Sequence, residues 1–507
     1  MKNDFRTLLD EFIEFKLKSS PVSATYKGIH TYDHLLDDLS HSNRIEYLKI
    51  LDDYEKKLSE FEESELDDID TLDRKLLLSA IKTELRYERE YKILYRDANY
   101  YPDICLYGIN VLLLRDFAPL TERLWSVKSR LLEIPRLLEQ GVENLKSSTN
   151  IPRIWTEIAI EAVKGGLKFF ENVIPDAANK SENLKEEILK ANELAIKAMC
   201  LYRDFLKENL LPRSNGEFAF GKKLFNQVLE EYHMVPYSVD DLIKIGEDNI
   251  TSIRKAMDDI CKQIEMEGDW PKIVENIKND HPAAEELLEF YSSEMARARD
   301  FVRDNDLADI PDGEMITVME TPIFLRGIIP YGAYMTAAPF DERQEGFFWV
   351  TPVDPSLPAE KQEEQLRGHN RWGATIVALH EAYPGHHLQF IHKNKIKNRA
   401  RHFFATNVFI EGWALYCEEM MYEQGFYSDL RSRLLQLKDE LWRACRIVID
   451  AKLHTGRMTY EEAVDMLVNT AQIEPVNAEK EVKRYTKTPT QPMSYLIGKI
   501  EILKLRE

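Results

Sequence analysis

No apolar run in this 507-residue chain approaches the ~20 residues a helix needs to cross a bilayer, which excludes a helical membrane protein. Cysteine is scarce. The five present (Cys105, Cys200, Cys261, Cys417, Cys445) are odd in number, scattered and never in a CxxC pair. That excludes a disulfide framework and a thiolate metal knuckle, and it fits a reducing cytoplasm, the expected location. Clustered positive charge is also lacking: 67 basic against 88 acidic side chains leave a net charge of -21. Neither nucleic acid nor an anionic membrane surface is therefore expected as a partner, since both need grouped Lys and Arg. The opening MKNDFRTLLDEFIEFKLKSS has no apolar h-region, so no secretory signal is expected in it. There is no internal repeat and no low-complexity linker. With 44% hydrophobic and 31% charged residues, what remains is an ordinary globular composition.

What is present is mostly helical periodicity. Leu77, Ile81 and Leu85 recur every four residues, with charged residues on the other faces. The segment SPVSATYKGIHTYDHLLDDLS, Ser20 to Ser40, interrupts the pattern with Pro21 and Gly28 and reads as an ordered connection. From about 119 to 212 helices return, with breaks expected at Pro135, Pro152 and Pro175. A turn at Ser214-Asn215-Gly216 follows, and Ser238 with Asp241 resembles a capping box that opens a helix running to about 265. Between about 306 and 360 the texture changes to short β-branched and aromatic runs cut by Pro and Gly: DIPDGEMITVMETP, GIIPYGAYMTAAPF and EGFFWVTPVDP. These predict a small sheet. The fold expected is mainly α, a large helical body with a small β-sheet beside the catalytic helices. Its parts are a helical region 1–305, a β insert 306–358 and a helical catalytic region 359–507, which can also form one continuous domain.

Six of the 12 histidines (His369, His380, His386, His387, His392, His402) fall within 34 residues. Among them stands His380-Glu381-Ala382-Tyr383-Pro384-Gly385-His386-His387. Imidazoles ligate zinc well, and a carboxylate next to the first ligand can act as base toward a metal-activated water. Two histidines four apart on a helix share one ion. Here His386 is six residues after His380, which on a regular helix is ~120° off face and ~9 Å along the axis. His387, seven after, returns to the face but lies ~10.5 Å away. A two-residue bulge at Pro384-Gly385 would restore the shorter geometry for His386, the preferred second ligand, with His387 as the alternative. The third ligand expected is Glu411, in Phe409-Ile410-Glu411-Gly412-Trp413-Ala414-Leu415-Tyr416. An acid in so apolar a run is costly unless paired or metal-bound. A salt bridge to Arg401 or Lys395 is the bland alternative. Glu418 and Glu419 are expected to face solvent, unless one of them orients a ligand histidine.

The stretches SPVSATYKGIHTYDHLLDDLS, HEAYPGHHLQ, EGWALY and QPMSYLIGK resemble the family catalogued as domain of unknown function 885, over nearly the whole chain. That family is grouped with gluzincin-like metallopeptidases. The resemblance implies His380 and His386 as zinc ligands, Glu381 as base and Glu411 as third ligand. A lipoprotein signal like that of some relatives is not expected here, and the family supplies no substrate.

Other residues offer help to a tetrahedral intermediate, which needs a donor for its oxyanion. Arg446, Asp450 and His454 recur every four residues in CRIVIDAKLHTGR. His454 or Arg446 could reach the cleft with Asp450 fixing the geometry, or all three form a surface ladder. Tyr495 in QPMSYLIGK is a second donor candidate, with core tyrosine as its plain reading. The stretch Tyr331 to Pro352 could pair with an extended substrate, Phe347, Phe348 and Trp349 adding contacts, or simply be core. Together these predict a zinc hydrolase of peptide or small amide substrates. Zn2+ is the one cofactor expected, and oligomeric state is left open. Hydrolysis of esters or non-peptide amides, or a non-catalytic binding protein with a decayed site, are the alternatives.

Overall fold

The structure is a computed structural model that describes every residue except Met1, Glu265, Glu267, Gly327, Ile328 and Pro330, and the side chains of Lys2 and Asn3. It is mainly helical, with one three-stranded sheet. No helix among the described residues is long and apolar enough to cross a membrane.

The predicted stripe Leu77, Ile81 and Leu85 lies on the helix Asp68–Arg86, buried with Phe5, Phe12 and Leu51 of the first helices. Ser20–Ser40 is ordered, with a short helix Pro21–Tyr26. The capping box forms: Ser238 accepts from the Asp241 amide, Asp241 bonds back to the Ser238 amide, and the helix runs Val239–Cys261. Two of the three expected proline breaks do not occur. Pro152 precedes a helix, but Pro135 lies inside Leu120–Lys146 and Pro175 inside Arg153–Ala178. Each is flanked by buried residues, Ile134, Leu137 and Leu138 in one helix and Ile174, Ala177 and Ala178 in the other. Burial of those apolar faces offsets the one hydrogen bond each ring removes.

The three irregular runs supply the strands β1 (Met315–Glu320), β2 (Gly332–Met335) and β3 (Glu345–Val350), in the order β1-β3-β2. The start of the second run, at Gly327, Ile328 and Pro330, lies outside the described residues. β3 is central, parallel to β1 and antiparallel to β2. Its side chains alternate, as strand geometry requires. Phe347 and Trp349 enter the core of the helices around Leu131, Val163 and Met199, while Phe348 and Val350 enter the core shared with Tyr291, Leu379 and Met421. The aromatic run is therefore core. The sheet thus joins the N-terminal bundle to the helices Arg371–Glu381 and Asn407–Glu423, which carry the site.

Candidate metal centre

The helix Arg371–Glu381 opens on the Asn370 side chain, which accepts from the Gly373 amide at 2.8 Å. It ends at Glu381, and a second helix, His386–Asn394, begins after Ala382-Tyr383-Pro384-Gly385. The expected bulge inside one helix is thus a complete break between two. Proline has no N–H to continue the ladder, so the chain restarts. It restarts across a widened turn: the Gly385 amide bonds to the Leu379 carbonyl at 3.1 Å and the Leu388 amide to the Ala382 carbonyl at 3.2 Å, each six residues back. A Cβ on Gly385 would overlap the His380 carbonyl oxygen, so only glycine fits this turn.

The break brings the His380 and His386 rings to 4.9 Å between centroids, nearly perpendicular. Glu411, on the helix Asn407–Glu423, places Oε2 3.2 Å from His386 Nε2. One ligand atom from each of His380, His386 and Glu411 lies within 4.8 Å of the other two. Arg401 instead pairs with Asp73, so the surface salt bridge considered for Glu411 is not the one formed. Two imidazoles and a carboxylate are a zinc donor set with room for a fourth ligand, and His386 Nδ1 is buried without a hydrogen-bond partner. The residues fit the ion.

The surroundings hold these groups in place. Glu418 does not face solvent: it is 1% exposed, and its Oε1 lies 2.7 Å from His380 Nδ1. That contact fixes the ring and leaves Nε2 for an ion. Burial, helped by the charges of His386, Arg443 and Arg446, holds His380 well below the usual imidazole range. Burial pushes His386 down too, but contact with Glu411 and the charge of Glu381 outweigh it and leave His386 raised. Glu411 is raised by burial and lowered more by His386, Arg446 and Tyr495. Burial, with Glu411 adding to it, pushes Glu381 up to about 7 against the pull of His386 and Arg443.

His387 is not a ligand. Its Nε2 lies 2.7 Å from Glu314 and its Nδ1 2.9 Å from the Tyr334 hydroxyl, in a fully buried pocket. Successive residues on a helix point ~100° apart, so when the restart aims His386 at His380 it aims His387 away. Glu314 also accepts from Tyr383 and Arg299, which pins the segment between the two helices.

His454 does not join the centre either. Its Nε2 donates to the Tyr485 carbonyl at 2.9 Å, and its ring packs against Phe218, Phe220 and Phe225. It stands eight residues, ~12 Å along the axis, beyond Arg446. Asp450, pushed by burial up to about 8, accepts the Thr490 and Met493 amides at 3.2 and 3.1 Å. It anchors the turn that leads into the helix Ser494–Arg506 and does not orient a histidine toward a cleft.

That last helix delivers Tyr495. It crosses Asn407–Glu423 at Gly412 and Gly498, where a Cβ on either residue would overlap the opposite backbone. The Gln491 amide reaches Glu411 Oε1 at 3.4 Å and the Tyr495 hydroxyl at 3.3 Å. Arg446 lies 3.9 Å from the Tyr495 ring centroid. Tyr495 and Arg446 therefore lie beside the trio. Gln491, Arg443 and Glu314 escaped the sequence reading as site residues, while Glu418 takes the alternative placed beside a solvent-facing role, against a histidine. Glu418 carried a signal, seven residues after Glu411 on one helix face, and so did Arg443, one turn before Arg446. Glu314 carried none, being brought in by the sheet.

The profile of a family described as "Bacterial protein of unknown function (DUF885)" matches residues 21–507. A protein described as a "putative lipoprotein of unknown function", from Shewanella oneidensis, has a similar structure, with a TM-score of 0.78 at 23% identity over 99% of this chain and 93% of that one. A "putative lipoprotein" from Colwellia psychrerythraea gives a TM-score of 0.82 at 20% identity, over 99% and 92%. At such identities the shared property is the fold. No curated protein matches.

Proposed function

The chain belongs to the DUF885 family of bacterial proteins of unknown function, and on that premise we propose that it is a gluzincin-type zinc hydrolase of peptide or related amide bonds, working in the cytoplasm. The observation that carries this reading is the convergence of His380, His386 and Glu411 within 4.8 Å across a broken helix, with Glu381 beside them. Zinc bound there would polarise a carbonyl and make water acidic near neutral pH. Glu381 takes a proton from the attacking water and passes it to the leaving nitrogen. A C–O bond forms, the C–N bond breaks, and one water is consumed. The Tyr495 hydroxyl donates to the oxygen that gains negative charge. Glu418 keeps the His380 ring from turning. The same groups could open an ester or a non-peptide amide, and a panel of such substrates beside peptides separates these readings.

Elemental analysis tests the proposal. Native protein is expected to hold about one zinc per chain, lost in His386→Ala. A protein that refuses added zinc would point instead to a non-catalytic binding role. Uptake should also depend on pH with a definite sign. Without metal, His386 keeps its proton above the usual imidazole range because Glu411 faces it, and zinc must displace that proton. Zinc affinity is therefore expected to rise as pH increases past the ordinary imidazole range, where His386 gives up its raised proton, and to fall in acid. Zinc titration of metal-free protein at several pH values checks this, and a flat profile would contradict the paired site.

A further inference from the structure

Arg443 and Arg446 stand one turn apart on the helix Leu430–Leu453, both over the Tyr495 ring, with Arg446 also beside the Trp442 and Tyr485 rings, and their charges act on His380 and, from Arg446, on Glu411. Arg446 is 2% exposed, yet its Nε and Nη2 have no hydrogen-bond partner, and neither has Nε of Arg443. Among the described residues no carboxylate forms an ion pair with Arg446. The acids nearby are engaged elsewhere. Arg484 takes Glu481 at 2.8 Å, His386 and Gln491 take Glu411, and backbone amides take Asp450. Asp439 approaches Arg443 only to 3.7 Å.

A buried guanidinium without an anion is costly, and bidentate hydrogen bonding to a carboxylate is what its planar fork fits best. The oxyanion does not meet that need, because it exists only in passing and the Tyr495 hydroxyl already lies beside Glu411. A permanent anion does. The carboxyl carbon of a peptide C-terminus lies within about 4 Å of the carbonyl carbon of the last amide bond. A carboxylate on these arginines would therefore place that bond among His380, His386, Glu411 and Glu381.

We infer that Arg446, assisted by Arg443, binds the free C-terminal carboxylate of a peptide, so that the site removes residues from the C-terminal end. What is cut rests on the proposed amide hydrolysis; the carboxylate site can be tested without turnover. The probes are N-acetyl-Ala-Phe with a free C-terminus and the same dipeptide as its C-terminal amide, titrated calorimetrically into the Glu381→Gln protein. The free acid is expected to bind on the order of 10–100-fold more tightly. Arg446→Gln in that background should abolish the difference, and Arg446→Lys should restore part of it. Arg443→Gln, expected to weaken the preference, serves if Arg446→Gln does not fold. Equal binding of acid and amide, binding of neither, or a preference untouched by the arginine variants would overturn the inference. With unaltered protein and zinc, stepwise shortening of a longer peptide from its C-terminus supports it. Cleavage of C-terminally amidated peptides at internal bonds overturns it and leaves the hydrolase standing. A preference for the acid that Arg446→Gln removes, in a protein that cuts nothing, keeps the carboxylate site and sinks the hydrolase.

Discussion

Replacing Glu381 by glutamine is expected to lower kcat by about 10²–10⁴-fold while zinc content stays unchanged. Glutamine keeps the shape and loses the ability to accept a proton. The residue lies outside the converging trio His380, His386 and Glu411, so the metal has no reason to leave. Among the described residues the Glu381 carboxylate makes no hydrogen bond, which leaves it open to a substrate water. Burial has already brought it up to about 7, where a base can both take and return a proton near neutrality. Steady-state kinetics with elemental analysis on one preparation checks both halves. Full activity in the variant would remove Glu381 as the base, and loss of zinc would mean that it helps hold the ion.

The second large effect should come from a residue with no chemistry. Gly498→Ala would drive a methyl group into the Val408 carbonyl oxygen, where the helices Ser494–Arg506 and Asn407–Glu423 cross. The helices must separate, at a cost of about 1–3 kcal/mol in stability. Because the same crossing sets Gln491 and Tyr495 against Glu411, zinc affinity is expected to fall along with stability. Chemical denaturation of metal-free protein gives the first quantity and zinc titration the second. A variant with native values of both would show that the two backbones do not meet this closely. One that unfolds earlier yet binds zinc normally would uncouple the crossing from the centre.

These two residues mark the limits of what a sequence shows. Glu381 could be found from its neighbours, because a carboxylate beside a histidine has recognisable chemistry. The crossing of Gly412 with Gly498 could not be found that way, because nothing local says which backbone will arrive there. The capping box at Ser238 and Asp241 formed as its side chains dictate, being a contact across three residues. The breaks expected at Pro135 and Pro175 did not occur, because burial on both sides of each proline outweighs a local penalty.

The same division runs through the centre. The order of residues was enough to specify an interruption of helical geometry at Pro384-Gly385 and a mainly helical chain with a small sheet, since each follows from backbone chemistry or periodicity along one segment. Only the packed molecule decided that His387 turns to Glu314, that Glu418 stands behind His380, and that Arg446 lies over Tyr495 while His454 is walled in by phenylalanines. A helix sets the angle between its own side chains, but which angle faces a partner depends on where the other helices lie.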